Sequence, residues 1–506
     1  MDFLYHLLMA FKIGIEPANL LWCFVGVLIG TLVGVLPGLG PVATISLLLP
    51  ITYKLTPVQS IIMLAGIYYG AQYGGSTTSI LLNIPGEASS MITCLDGYQM
   101  AKKGRAGAAL GIAAIGSFIG GTFGILMMTF LAPPMAAMAL KFGPPENVSL
   151  IVLGLTLITY LSSGSMVKSF MMAALGLLIG SIGTDLITGA MRFTLGLPGL
   201  AEGVGIVPVV MGLFGISEIM LNLEESFRKR EFFKTSMKNL LPNKQEFKDS
   251  AGPIARGSVV GFFLGILPGG GALLSSIVSY AMERRLSKQP ETFGTGSIAG
   301  VAGPETANNA AAQGSYIPLM TLGIPCNVVM AVLMGAFLIH GVIPGPLLLR
   351  THPDLFWGVV GSMYLGNAML MLLNLPLLGV WVSLLRVPYA LLFPLISMLC
   401  LIGSYSIENS ILDVNIMILF GIFGYLMKKF NYPPAPLVLA LILGPMLEKN
   451  LGQSLMMSNK NPLIFVESPI SAALLGITIL LLISPLILKR FKQKRPGLLV
   501  QGDQDL

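Results

Sequence analysis

Gly34-Val35-Leu36-Pro37-Gly38-Leu39-Gly40 and Gly265-Ile266-Leu267-Pro268-Gly269-Gly270-Gly271 state one phrase twice in a chain of 506 residues. Downstream of the first copy lies Asn83-Ile84-Pro85-Gly86, answered after the second by Gly323-Ile324-Pro325-Cys326. Later still, Leu178-Ile179-Gly180-Ser181 is answered by Leu401-Ile402-Gly403-Ser404. Three pairs in the same order indicate an internal duplication. The spacing has drifted, since 48 residues separate Pro37 from Pro85 and 57 separate Pro268 from Pro325. The repeat is old and diverged.

The medium around these phrases is lipid. Apolar residues make up 54% of the chain and charged residues only 10%, against about 25% charged in soluble domains. Mean hydropathy is +0.81. So much apolar surface exceeds what a globular core can bury. The apolar runs are continuous and not period-two, which excludes an outer-membrane barrel. The net charge of +7 does not indicate nucleic acid, because the Lys and Arg residues sit in short clusters between apolar runs. Cys23, Cys94, Cys326 and Cys400 are scattered singly and read as small buried hydrophobes, with neither metal-ligand nor disulfide spacing. No cleavable signal is expected: Asp2 and Lys12 are the first charges, and no Ala-x-Ala-like site follows.

Apolar spans are read near 107–131, 146–164, 169–190, 203–222, 356–384, 388–407, 412–427, 433–448 and 466–488. Each approaches the ~20 residues that cross ~30 Å of hydrocarbon. The segment 223–252 carries Arg228, Lys229, Arg230, Lys234, Lys238, Lys244 and Lys248, and the tail 489–506 is also basic, so both are placed in the cytoplasm. The expected organisation is a first membrane repeat over 1–222, a linker over 223–252, a second repeat over 253–450, an extra helix over 451–488 and a cytoplasmic tail. Lys102-Lys103-Gly104-Arg105 follows the first Ile-Pro element, whereas His340 to Pro346, in the matching loop of the second half, has no Lys or Arg. Upstream the bias reverses, from Lys54 alone to Arg284, Arg285 and Lys288. Opposite bias in equivalent loops is what inverted repeats produce. The fold class expected is an all-α polytopic membrane protein, two inverted-topology repeats with broken or re-entrant helices and about 10–12 membrane segments.

Arg256 to Glu283 spans 28 residues interrupted at Leu-Pro-Gly-Gly-Gly. A straight helix of that length would run ~42 Å, so a re-entrant hairpin is favoured over a kinked span. Non-helical backbone at membrane depth is tolerated where protein or a water-filled cavity satisfies its polar groups. Gly38, Gly40, Gly269 and Gly271 permit positive φ and close approach, and a helix restarting there points N–H groups at an anion. Pro-Gly is also a common kink in membrane helices; two breaks at matching places favour a binding site. Ser76, Thr77, Thr78 and Asn83 near the first break are candidates for substrate contact or for helix packing. Glu305, Asn308 and Asn309 are candidates for cation coupling, since two amides and a carboxylate are costly in apolar surroundings. Glu87, Asp96, Asp185, Glu218, Glu408 and Glu448 read as interfacial, and His6, His340 and His352 as loop residues. No Gly-x-Ser-x-Gly, His-Glu-x-x-His or Walker A pattern occurs, so neither an enzyme, a metal site nor an ATPase is expected.

Gly34 to Pro41, Tyr68-Tyr69-Gly70-Ala71-Gln72-Tyr73-Gly74-Gly75-Ser76-Thr77-Thr78, Asn83-Ile84-Pro85-Gly86-Glu87 and Pro304-Glu305-Thr306-Ala307-Asn308-Asn309-Ala310 resemble the large membrane subunit of the tripartite tricarboxylate transporters, called TctA. The resemblance runs from about Asn19 to Ser454, with one departure at Cys326, where Gly is expected. It implies a multi-pass protein of the bacterial inner membrane that works with a small membrane subunit of about four helices and a periplasmic solute-binding protein. It also implies secondary uptake of a tricarboxylate or related carboxylate, driven by Na⁺ or H⁺, with no other cofactor. The residues alone support an inverted-repeat carrier suited to an anion. A carrier working without a binding protein and an anion channel remain alternatives.

Overall fold

The structure, a computed structural model, describes residues 2–36, 40–162, 165–185, 187–225, 241–384 and 389–494. Its first half comprises α1 (Asp2–Gly14), α2 (Pro17–Val35), α3 (Pro41–Thr52), α4 (Pro57–Leu82), a 3-10 turn at Ala88–Ser90, α5 (Met91–Lys102), α6 (Ala106–Ala139), α7 (Pro144–Leu161) and α8 (Met166–Gly180). A small antiparallel hairpin of β1 (Gly183–Thr184) and β2 (Met191–Arg192) precedes α9 (Ile206–Val210), a π turn at Met211–Ile216 and α10 (Ser217–Glu225). The second half runs α11 (Lys244–Ile266), α12 (Gly271–Leu286), α13 (Ala299–Gly314), α14 (Tyr316–Leu322), α15 (Val328–Ile339), α16 (Leu348–Thr351), α17 (Pro353–Asn374) and α18 (Leu378–Leu384). It ends with α19 (Tyr389–Glu408), α20 (Ile411–Lys429), α21 (Pro434–Met457), α22 (Ile464–Glu467) and α23 (Pro469–Lys494). Pro17, Pro41, Pro57, Pro144, Pro353 and Pro434 each open a helix, where a missing N–H leaves no bond unmade.

The chain is an all-α polytopic membrane protein. Among the described residues, seven helices are long and apolar enough to cross a bilayer: Pro17–Val35, Ala106–Ala139, Pro144–Leu161, Ile206–Glu224, Pro353–Asn374, Ile411–Lys429 and Pro434–Met457. Several boundaries differ from the sequence reading. The span expected over 169–190 stops at Gly180, and that expected over 356–384 stops at Asn374. Helix α11 begins at Lys244, inside the stretch read as linker. Asn243 Oδ1 accepts the Glu246 N–H at 2.9 Å while the Glu246 carboxylate accepts the Asn243 N–H at 2.6 Å, and this reciprocal cap extends the helix through polar residues.

The two halves share a run of similar elements. In both halves a long helix ends at an extended Leu: Leu36 (φ −88°, ψ 107°) and Leu267 (φ −76°, ψ 131°). A shorter helix follows, then α4 in the first half and α13 with α14 in the second, closed before Ile-Pro by a left-handed residue: Asn83 (φ 57°) and Gly323 (φ 71°). Asn and Gly are the residues that tolerate this conformation.

Glycines set how the long helices pack. A Cβ on Gly26, Gly30 or Gly34 would strike the backbone of Met63, Ile67 or Ala71 at 2.3–2.5 Å. On Gly257, Gly261 or Gly265 it would strike Gly303, Ala307 or Ala311 at 2.2–2.6 Å. Small residues four apart let membrane helices approach this closely. Each pairing advances by four residues in the same direction on both partners, so α2 runs parallel to α4, and α11 parallel to α13. The intervening helix must therefore run back. The Arg256–Glu283 ion pair agrees: guanidinium and carboxylate meet at 2.8 and 2.5 Å across the limbs of α11 and α12. Arg256 lies ten residues before the end of α11 and Glu283 twelve after the start of α12, or ~15–18 Å from the tip, about half of the hydrocarbon core. The second break is the tip of a hairpin whose limbs, α11 and α12, run antiparallel.

Contacts between helix ends sort the loops into two sets. One set joins Arg105 to Glu246, Lys103 Nζ to the Thr295 carbonyl (2.6 Å), Lys168 Nζ to the Phe430 carbonyl (2.6 Å), Lys428 to Glu218 and Lys429 to Glu224 (2.5 Å). The other joins Arg192 to Glu448 (2.5 and 2.9 Å), Asn147 to Asn450 (3.4 Å), Glu146 to Ser468, and His340 to Thr52 (3.0 Å). The Thr52 hydroxyl donates to the Leu49 carbonyl at 2.6 Å, so His340 Nε2 carries the proton between them; burial holds this imidazole below its usual pKa range. Helix α5 ends in the first set and its counterpart α15 in the second.

At the centre, α4 is buried from Ser60 to Leu81 and α13 from Gly300 to Gly314. Helices buried on every side must satisfy their polar groups against one another.

Candidate functional site

The polar faces of α4 and α13 meet where the two halves touch. Ser76 Oγ donates to Glu305 Oε2 at 2.6 Å, Thr93 of α5 bonds the other carboxylate oxygen, and Asn308 Nδ2 donates to Oε2 at 3.2 Å. Asn309 Nδ2 reaches Asn308 Oδ1 (2.5 Å) and Ser117 Oγ of α6 (2.8 Å). None of these side chains is more than 4% exposed. Ser76, read as a substrate candidate, and Glu305, Asn308 and Asn309, read as cation candidates, thus form one network joining the halves. No Lys, Arg or His forms an ion pair with Glu305 among the described residues. A buried carboxylate without a counter-charge is among the costliest groups in a membrane protein, and its persistence points to function.

The predicted glycines divide. Gly38 lies outside the described residues. Gly40 caps α3 with φ −71°, and a Cβ there would meet nothing within 4 Å, so the positive φ expected of it is absent. Gly269 (φ 79°) and Gly271 (φ 58°) do adopt the left-handed region. The Gly269 N–H, expected to face a ligand, donates to the Cys326 carbonyl at 2.8 Å. This bond docks the first tip of the second half onto its Ile-Pro break. Gly269→Ala is expected to lose most uptake, since its Cβ would also press on the Ile158 backbone at 2.8 Å, while Gly335→Ala, whose Cβ meets nothing within 4 Å, keeps wild-type uptake. Equal loss in both variants would show that the tip geometry is not the cause.

Thr77 and Thr78 are buried on α4, and the Thr78 hydroxyl returns to the Gly75 carbonyl at 3.1 Å. Asn83 is exposed and serves as the left-handed cap of α4. Each break packs on the opposite half. Helix α15 lies on α3 and α4, while α5 and the 3-10 turn lie on α12 and α13. Asn327 caps α15 through the Met330 N–H at 3.0 Å and stands 3.5 Å from the Tyr68 hydroxyl. In the first half Gly86 leaves no room for a side chain, since a Cβ would stand 2.0 Å from the Gly34 carbonyl. Cys326 fits the equivalent place because its thiol sits against the Ile266 and Ser315 carbonyls at 3.6 and 3.5 Å.

Glu87 and Asp96, read as lying at a membrane surface, are both engaged by the fold. The Glu87 carboxylate accepts the Ser89 N–H at 3.2 Å and caps the turn after the first break. Asp96 is fully buried; its Oδ1 accepts the N–H groups of Gly294, Gly296 and Ser297 at 2.7–2.9 Å, and its Oδ2 the Tyr280 hydroxyl at 3.0 Å. It ties the first half to the loop that opens α13. A lone Asp in a helix carries no signal of such a role. Bonds to a charged group contribute ~1.5–3 kcal/mol each, so Asp96→Ala is expected to cost at least ~3 kcal/mol of stability, read as a lowered melting temperature in detergent. An unchanged melting temperature would show that these bonds do not hold the two halves together.

The model of the tripartite tricarboxylate transporter TctA family matches residues 20–439. An uncharacterized 52.8 kDa protein in the TAR-I ttuC' 3' region of Agrobacterium vitis is 50% identical over 503 residues, 99% of this chain and 100% of that protein. An uncharacterized protein in the TAR-II ttuC' 3' region of the same organism is 49% identical over 243 residues, 48% of this chain and 100% of its own length. No solved structure matches.

Proposed function

Because the chain belongs to the tripartite tricarboxylate transporter TctA family, we propose that it is the permease through which an organic carboxylate crosses the bacterial inner membrane, driven by a Na⁺ or H⁺ gradient. One observation supports this reading: in each of two like units, the element after the Ile-Pro break packs against the other unit. Carriers are built this way, with the site at the interface of inverted repeats. The helix starts at Gly40, Gly271 and Asn327 supply positive dipole ends near the breaks for a carboxylate. Glu305 with Asn308 and Asn309 supplies the negative partner for a cation. The basic set of loop ends faces the cytoplasm, and α5 and α15 then run to opposite sides, as inverted repeats require. A small membrane subunit of about four helices and a periplasmic solute-binding protein complete the system.

Counterflow in membrane vesicles tests the carrier. Unlabelled carboxylate on the far side accelerates tracer entry through a carrier and leaves a channel unaffected. Cysteine labelling tests orientation: positions 104 and 244 are expected to react from the cytoplasm and position 343 from the periplasm. Labelling of 104 and 343 from one side would sink the inverted reading.

A further inference from the structure

We infer that a dehydrated monovalent cation of about the size of Na⁺ binds in a small chamber between α4, α6 and α17, beside the Glu305 carboxylate and not on it. The inference rests on the carrier reading only for its use in coupling.

The chamber has a volume of about 10 Å³ and is lined in its polar part by Tyr73, Ser76, Thr77, Ser117 and Asn374, room for one water-sized particle. Its acceptors and donors are unequal. Asn374 Oδ1 is buried and has no hydrogen-bond partner among the described residues, while its Nδ2 is held by the Leu370 carbonyl at 3.0 Å. Ser76 donates its proton to Glu305, and Tyr73 donates its own to Asn367 Oδ1 at 2.6 Å. Ser117 Oγ receives a proton from Asn309 Nδ2. The Thr77 hydroxyl makes no hydrogen bond among the described residues. Three side chains thus have their donors engaged elsewhere and keep oxygen lone pairs for the chamber. The Thr77 hydroxyl and the second N–H of Asn374 are the donors left, against open oxygens on Asn374, Ser76 and Tyr73, so acceptors outnumber donors.

Water also fits an oxygen-lined hole of this size. What favours a cation is charge: the carboxylate one hydrogen bond away, through Ser76, has no counter-ion among the described residues. A cation in the chamber offsets that charge where lipid cannot. Neutral oxygens with a single carboxylate suit one positive charge, whereas divalent hard cations use more acidic ligands or keep their waters. Ser76 and Thr77 then serve the ion, and the carboxylate substrate is left to the breaks.

The test uses the purified full chain in lipid nanodiscs, with no transport assay. Thermal unfolding is followed against NaCl, KCl and N-methylglucamine chloride at equal ionic strength and at two pH values. Na⁺ is expected to raise the melting temperature in a saturable way that the other cations do not reproduce. Thr77→Val and Asn374→Ala each raise the half-saturating Na⁺ concentration at least tenfold, and Glu305→Gln removes the dependence. Melting temperatures in N-methylglucamine alone establish that the variants fold, and Gly335→Ala serves as the unaffected control. Equal stabilisation by all three salts, dependence on pH alone, or unchanged half-saturation in both Thr77→Val and Asn374→Ala overturns the site. Na⁺-driven uptake with no such stabilisation would overturn the chamber and leave the carrier standing. Na⁺ stabilisation without carboxylate transport would do the reverse.

Discussion

Glu305→Gln is expected to lower gradient-driven uptake about 100-fold while leaving the protein as stable as before. The substitution keeps the shape of the side chain and an oxygen for one of Ser76 and Thr93, whose partner hydroxyl can turn to accept from the new amide, but it removes the carboxylate charge between α4 and α13. Replacing an uncompensated buried ion by a neutral isostere is often neutral or stabilising, so loss of activity cannot be blamed on loss of fold. A factor of 100 corresponds to about 2.7 kcal/mol of coupling, within reach of one charge in a medium of low dielectric. Uptake at matched expression and the melting temperature decide it together. Uptake within twofold of wild type would return Glu305, Asn308 and Asn309 to helix packing.

Gly261→Ala is expected to be among the most destructive single-methyl changes in the second half. Its Cβ would lie 2.2 Å from the Ala307 carbonyl oxygen and 2.6 Å from Ala307 Cα, and these are backbone atoms that no rotamer can move aside. The helices α11 and α13 would have to part along their whole contact, taking Glu305 away from Ser76. Overpacking typically costs ~1–3 kcal/mol, and a backbone clash lies at the upper end or beyond. Folded protein recovered from the membrane should fall sharply. Gly335→Ala, which meets nothing within 4 Å, should be recovered like wild type. Gly120, a mid-span glycine that looks neutral from its neighbours in sequence, is no such control, because its Cβ would stand 2.2 Å from the Thr306 carbonyl. Equal yields for Gly261→Ala and Gly335→Ala would mean that the helices are not in van der Waals contact at these positions.

What the sequence by itself determined is whatever follows from short-range physics. Continuous apolar runs require lipid, Leu-Pro-Gly and Ile-Pro interrupt a helix wherever they stand, and Lys102 to Arg105 against His340 orders the loops by charge. Repetition of these signals made the duplication legible before any coordinates. The ladders Gly26-Gly30-Gly34 and Gly257-Gly261-Gly265 were equally local, and their four-residue step was there to be read; only the partner helix was not. The tertiary structure alone decided which residues meet. Ser76 and Glu305 lie 229 positions apart and Asp96 and Gly296 lie 200 apart, and no periodicity reports such a pair. It also decided which polar groups have their donors engaged. The Gly269 N–H bonds Cys326 instead of facing a ligand, and Asn374 Oδ1 is left free beside Thr77. A side chain's type sets what it can bond, but in a bilayer, where water cannot satisfy what the protein leaves open, the function lies in which bonds the fold leaves unmade.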